Sequence, residues 1–299
     1  MIVRQLYSSA LVGIAECLHP VGDETWNRTV SVVSEVPLIV FPRVPVLITH
    51  VDDEPMLADP TVAMLYNPQA LYSRERRSER GDHYLELQLG DELLESLEAE
   101  LPPVLRDGRW IVSRARADRV VYLHQHLLAR HLDAEASPDA LLVEETAHRV
   151  ARGVLADAGE RGAPRRAPTR QRHRQIAEEA KQELAASLKG PIGLQELGRK
   201  LGQSPFHLAR IFRQETGYSL HEYRQQLRLR LGLERLRDSA GSLTALALDL
   251  GFVSHSHFTT AFRREFGLPP SAVSNLRETR RILEAARPLP GLTRNAYWL

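Results

Sequence analysis

Hydroxyl, imidazole and guanidinium groups recur at matched spacing in two places, SPFHLARIFRQ from Ser204 and SHSHFTTAFRR from Ser254. On a helix, the first stretch places Leu208, Ile211 and Phe212 on one face and Phe206, His207, Arg210 and Gln214 on the other. A helix divided this way buries one side and offers hydrogen-bonding groups to a partner from the other. That is the chemistry of reading base edges in a DNA major groove, where an Arg bidentate to guanine is worth about 1–3 kcal/mol of discrimination. Arg210 equally suits a salt bridge or a phosphate contact, and His207 and His257 suit surface packing as well as they suit DNA.

Other candidate chemistry is sparser. A metal site needs clustered His and carboxylate ligands. His50 and His83 stand far apart in sequence, and His124 and His126, two apart on an expected helix, point to different faces. Cys17 is the one cysteine, which excludes an internal disulfide and any zinc site built on several thiolates, and it reads as a small buried apolar residue. No catalytic residue, metal or cofactor is expected. Trp26, Phe41, Tyr66 and Tyr72 suit either an effector pocket or plain core.

The elements that must position the two polar faces form an internal repeat. Leu197, Leu201 and Gly202 correspond to Leu246, Leu250 and Gly251 at one offset, and Leu208, Phe212, Arg213 and Gly217 to Phe258, Phe262, Arg263 and Gly267 at an offset one longer. Each copy (194–217 and 243–267) reads as helix, glycine turn, helix, with Ser204 and Ser254 as N-caps and small Gly198 and Ala247 in the first helices. Such a layout lets one helix brace and the next enter a major groove. Between the copies, 219–239 reads as one long helix, about 30 Å at ~1.5 Å per residue, close to the ~34 Å of a DNA turn.

The 299 residues are 43% hydrophobic and 26% charged, the composition of a globular protein of one large or two ordinary domains. The formal net charge of +1 hides an asymmetry. Residues 1–163 carry 16 Lys+Arg against 26 Asp+Glu, net −10, and residues 164–299 carry 23 against 12, net +11. A basic half of this kind suggests a nucleic-acid partner. No apolar run approaches a membrane span, and no signal peptide is evident, so no membrane association and a cytoplasmic location are expected.

The organisation expected along the chain is α+β. Residues 1–158 form a β-rich domain, with strands over about 28–89 (29–33, 37–41, 46–51, 61–66 and 83–89) and helices over about 90–158, including 118–132 and a helix from 137 capped by Ser137-Pro138. An Arg-, Pro- and Gly-rich linker follows at 159–174. An all-helical domain occupies 175–285, and 286–299 is a C-terminal tail. The apolar stripes of the two helices (Val121, Leu128 and Leu132; Leu142, Val150 and Leu155) suit either a second subunit or the barrel.

On the segments SPFHLARIFRQETGYSLHEYRQQLRLRLGLERL and LALDLGFVSHSHFTTAFRREFGLPPSAV, the basic half resembles the AraC/XylS transcription regulators, over roughly 175–276. The resemblance implies a sequence-specific DNA-binding transcription regulator with two helix-turn-helix units on double-stranded DNA. It implies base-facing Phe206, Ala209 and Arg210 in the first unit and His255, Ser256 and Thr259 in the second, with Ser204, His207, Arg213, Ser254, His257, Thr260 and Arg263 alongside. It further implies a cupin-like N-terminal sensor, more weakly matched by PTVAMLYNPQALYSRERRSERGDHYLEL, together with a small-molecule effector, a homodimer and RNA polymerase as partners. Activation is the mode the resemblance carries, although DNA binding serves activation and repression alike. The chain departs from the family pattern at Thr260, where an Arg is frequent, and at Val273-Ser274, where a Tyr-Arg pair is common, which predicts that Arg210 and the first unit dominate specificity. An alkyl-transfer repair protein of this helix-turn-helix type needs more cysteines than Cys17. Two alternatives stand beside this reading: an effector-independent regulator governed by a partner protein, and a cupin-like enzyme with a DNA-binding appendage.

Overall fold

The computed structural model describes residues 1–285 apart from 33, 52, 102–103, 107–108, 162–167, 191, 237–241 and 274, and gives backbone alone for 160–161 and 168–170. Ser274, the tail 286–299 and the middle of the expected linker therefore lie outside the described residues.

The first half is β-rich. In chain order it runs β1 (Ile2–Ser8), β2 (Val12–His19), β3 (Thr29–Ser31), β4 (Leu38–Pro42), β5 (Val46–His50), β6 (Met56–Ala58), β7 (Val62–Tyr66), β8 (Leu71–Arg76), β9 (Asp82–Leu89), α1 (Asp91–Glu100), β10 (Leu105–Arg106), β11 (Arg109–Trp110), β12 (Arg114–Arg116), α2 (Arg119–Ala134) and α3 (Ala140–Arg161). One antiparallel sheet has the order β1-β2-β9-β4-β7-β12, a second β3-β8-β5-β6, and β10 and β11 pair with each other.

Strand alternation sorts the large sheet into two faces. Ile14, Ile39, Phe41, Leu65, Leu85 and Leu87 face α1, α2 and α3. Leu38, Val40, Met64 and Tyr66 face Val46, Ile48 and Met56 of the second sheet. The expected strands over 28–89 have counterparts in β3, β4, β5, β7 and β9, whereas β1 and β2 lie in a stretch assigned no strand. Residues 90–158 are not wholly helical, since β12 pairs with β7 through Ala115 and Ala63. α2 begins at the expected place, capped by Asp118, whose carboxylate accepts from the N–H groups of Val120 and Val121. α3 begins later than the Ser137-Pro138 signal indicated, because Asp139 accepts from the N–H groups of Leu141 and Leu142 at 3.0 and 3.3 Å.

The second half is helical: α4 (Pro168–Ala186), α5 (Leu194–Lys200), α6 (Pro205–Thr216), α7 (Leu220–Arg235), α8 (Leu243–Asp249), α9 (His255–Phe266), α10 (Pro270–Val273) and α11 (Leu276–Glu284). The stretch 159–174, read as an Arg-, Pro- and Gly-rich linker, is helical at both ends, since α3 runs to Arg161 and α4 starts at Pro168. α7 has 16 residues, about 24 Å, and is shorter than the expected 219–239 spacer. α10 and α11 are separate helices, because Asn275 caps α11 by accepting from the N–H groups of Arg277 and Glu278.

The apolar cores divide the chain differently from its composition. α4, α5, α6 and the first part of α7 enclose a core of their own around Leu184, Leu208, Phe212 and Tyr223. Leu233, Leu246, Phe258, Phe262 and Ile282 of the last helices instead join the core that holds α2 and α3. The stripes of α2 and α3 named above are buried within the one chain.

Charged side chains complete the contact between the halves. β6 is an edge strand of its sheet, and its backbone is answered by α4. The Leu57 N–H donates to Glu178 at 2.9 Å, and Lys181 donates to the Leu57 carbonyl at 2.8 Å. An edge so covered is closed to further strand pairing. Burial works against ionisation of Glu178, yet Arg114 and Lys181 beside it hold its carboxyl down at about 2. From α7, Tyr223 donates to Asp59 at 2.5 Å, and the fully buried Arg230 donates to the carbonyls of Pro60 and Ala117 at 2.6 and 2.7 Å.

Candidate nucleic-acid interface

The two copies of the repeat share their local chemistry. Ser204 caps α6 by accepting from the His207 N–H at 3.3 Å, and Ser254 caps α9 by accepting from the His257 N–H at 3.1 Å. Both helices end at a glycine in the left-handed region, Gly217 at φ 80° and Gly267 at φ 74°. In the turns, Gln203 N–H donates to the Gly198 carbonyl at 2.8 Å and Phe252 N–H to the Ala247 carbonyl at 2.9 Å. These bonds keep the shorter offset, while the caps keep the longer one. The extra residue of the second copy is therefore Val253, which stands 81% exposed between Phe252 and Ser254.

Packing orients each second helix. Leu208, Ile211 and Phe212 of α6 are buried, as are Phe258, Ala261, Phe262 and Phe266 of α9. The opposite faces are open. Phe206 is 85% exposed. Arg210 and Arg213 are exposed on α6, and His255, Ser256, His257, Thr260 and Arg263 on α9, while His207, Ala209 and Thr259 are half-buried and the capping serines are exposed. An aromatic ring left in water at the start of a helix contributes nothing to that helix's core.

Polar groups on these faces are prearranged. The Arg210 guanidinium donates to Nδ1 of His207 at 3.2 Å, and the His207 ring lies 6.0 Å, edge-on, from that of His173. Thr259 Oγ1 and His255 Nε2 are 3.2 Å apart. His257 lies with its ring 5.4 Å from Phe252, so packing takes part of that side chain.

The other candidate groups fall elsewhere. Trp26, Tyr66 and Tyr72 gather on one apolar cluster with Tyr84, and the Tyr66, Tyr72 and His50 rings pack together, Tyr66 lying 5.2 Å from each of the other two. Phe41 is not with them; alternation along β4 turns it to the helices. Cys17 is buried, and burial pushes its thiol up to about 12. His124 faces the Val120 carbonyl at 2.8 Å, whereas His126 meets Glu234 at 3.1 Å, the two faces expected from their spacing. Among the described residues, no group of three His, Cys, Asp or Glu could hold a metal ion, and no helix is long and apolar enough to cross a membrane.

Sequence reasoning missed Glu178, Lys181, Arg230 and Glu234. Their signal was weak, being charges on helices that also carry ordinary solvated charges. Arg230 and Glu234 lie one helical turn apart in LRLRLGLERL, where the surrounding leucines drew the reading toward a plain spacer.

Residues 197–278 match the family model described as a helix-turn-helix domain. The chain is 35% identical over 99 residues to the regulatory protein SoxS of Salmonella typhimurium, spanning 92% of that protein and 33% of this chain. It is 32% identical over 84 residues to the multiple antibiotic resistance protein MarA of Escherichia coli, spanning 66% of that protein and 28% of this chain. Among solved structures it is similar to a transcriptional regulator with an AraC-type DNA-binding domain from Chromobacterium violaceum, at 26% identity and a TM-score of 0.32, over 37% of this chain and 93% of that one.

Proposed function

Because the chain belongs to the AraC/XylS family of DNA-binding transcriptional regulators, we propose that α6 and α9 are its reading helices and that Arg210 sets most of its sequence preference. One observation carries this reading. Two helix pairs with the same caps, the same turn bonds and the same buried triads leave their polar faces open on one chain. Arg210 reads a base edge; Arg213 and Arg263 hold phosphates; Phe206 and the Thr259 methyl make apolar contacts in the groove. Ser204 and Ser254 set the helix starts, and their hydroxyl protons stay available to a phosphate oxygen. His207 positions Arg210. The β-rich part is a cupin-like sensor, and the Trp26, Tyr66 and Tyr72 cluster is where a small effector would act. RNA polymerase is the partner through which bound protein changes transcription. A homodimer belongs to this reading, on a surface other than the α2 and α3 stripes, which are already covered.

Genome-fragment binding by the purified chain at near-physiological salt, followed by sequencing of what is retained, tests the proposal. Two short conserved blocks about one helical turn apart are expected. Arg210→Ala should lower specific affinity about ten- to a hundredfold and leave non-specific binding nearly unchanged. An equal fall in both, with one fewer ion in the salt slope, makes Arg210 a phosphate contact and overturns its assigned role.

A further inference from the structure

A cleft of about 1110 Å³ lies between the β-rich part and the helical part. It sits on the helix-facing side of the large sheet, at Glu16 and Leu18 of β2 and His83 of β9, away from the aromatic cluster between the sheets. Its far wall is built from Leu188 and Lys189 beyond α4, Leu231 and Glu234 of α7, and Leu250. Seven Arg or Lys side chains line it against four carboxylates.

Three of the four carboxylates are already engaged. Glu234 meets Arg43, Tyr122 and His126. Asp249 meets Lys189 and Arg235 at 3.0 and 2.9 Å, and Glu16 meets Arg4 and His83. The cationic surplus lies on the wall formed by the β-rich part and α2, where Arg4, Arg43, Arg77, Arg80 and Arg130 stand with Glu16 and Glu79; on the far wall Lys189 and Arg235 balance Glu234 and Asp249. Arg43, on the floor, is 3% exposed. Its Nε–H has no hydrogen-bond acceptor among the described residues, the Glu16 carboxylate being 3.9 Å away. His126 Nε2, buried beside it, is likewise without a hydrogen-bond partner among the described residues. Leaving buried polar atoms in this state is costly, and a ligand that satisfies them recovers part of the cost.

We propose that this cleft binds a compact polyanion, a small molecule carrying two or more carboxylate or phosphate groups. Cationic groups on both walls, in excess on the first, suit a ligand with more than one anionic group, and Leu18, Val44 and Leu231 suit its carbon body. A ligand that touches both walls binds the docked arrangement alone and holds the two parts together. The site is independent of which residues read DNA.

The test uses the full chain with pyrophosphate and, separately, citrate, at ionic strength matched with sodium chloride, and follows the thermal midpoint and a calorimetric titration. A saturable rise is expected with at least one of the two, and which one responds separates phosphate from carboxylate recognition. Arg77→Glu and Lys189→Glu, exposed positions on opposite walls, should each weaken binding about tenfold. Arg210→Glu should leave it unchanged. No saturable response to either anion overturns the proposal. So does a response lost in Arg210→Glu but kept in Arg77→Glu and Lys189→Glu, which would place the anion on the DNA-facing surface.

Discussion

Removing Glu234 should expose how firmly the two parts are joined. Its carboxylate accepts from Arg43, from the Tyr122 hydroxyl at 2.7 Å and faces His126 at 3.1 Å, with the side chain 10% exposed and that of Arg43 4% exposed. Burial opposes its ionisation, but Arg43 and His126 hold its carboxyl far below the usual range. Taking away one partner of such a pair costs about 3–5 kcal/mol, because the other is left charged in a dry place. Glu234→Met and Arg43→Met should each lose that amount. The double variant Arg43→Met/Glu234→Met should lose only about 1–2 kcal/mol, since an apolar pair fills the site without a stranded charge. The coupling from the cycle is then about 3 kcal/mol or more. Urea midpoints of the three variants measure it, and at about 2 °C per kcal/mol for a chain of this size the thermal midpoint of each single variant falls by roughly 6–10 °C. Hydrogen exchange across α7 should quicken in the single variants and return in the double. Additive losses would refute the reasoning, because they mean that water already screens the pair and that it joins nothing.

Other outcomes follow from the same physics. Burial lowers the imidazoles of His19, to about 4, and of His124 and His126. Their folded-state values lie below the unfolded 6.5, so the stability they contribute is complete above pH 6.5 and is lost as pH falls toward 4; Glu16 and Glu178, each held at about 2, add a second loss between about 4.5 and 2. Thermal midpoints taken from pH 8 down to 4 should show the first loss, and a flat profile over that range contradicts it. Gly202→Ala should cost about 1–2 kcal/mol, the left-handed backbone at φ 62° being the whole penalty in open space. Gly251→Ala should cost clearly more, because its Cβ would lie 2.5 Å from the Leu188 carbonyl oxygen and 2.6 Å from the Arg228 guanidinium; equal urea midpoints would show that the close approach is unimportant. Phe206→Ala should leave the thermal midpoint within about 1 °C while weakening DNA binding, and a large fall in stability would make Phe206 a packing residue.

Much of the helical half was legible because its determinants are local. A glycine that must be left-handed, a serine that must cap and an apolar triad at helical spacing act within a dozen residues. The pairs α5/α6 and α8/α9 therefore have counterparts at the expected positions. The same locality explains β4, β5, β7 and β9. β1 and β2 escaped because MIVRQLYS and VGIAECLH mix polar and apolar residues without clean alternation, and their pairing with each other and with β9 is what makes them strands. At α3 the sequence pointed to Ser137 as the cap, and the structure gives that role to Asp139.

Tertiary structure alone decided which charges are structural. Nothing within a few residues of Glu178, Arg230 or Glu234 distinguishes them from solvated neighbours. Their partners, the Leu57 backbone, the carbonyls of Pro60 and Ala117, and Arg43, lie more than a hundred residues away in sequence. It also decided that Phe41 leaves the aromatic cluster and that the last helices share a core with α2 and α3. A charge far from its partner in sequence becomes informative only when burial removes water as the competing partner, and burial belongs to the whole fold. By itself the sequence determined which helices leave a polar face open; how those helices are anchored, and the cleft that the anchoring leaves, came from contacts between the two halves.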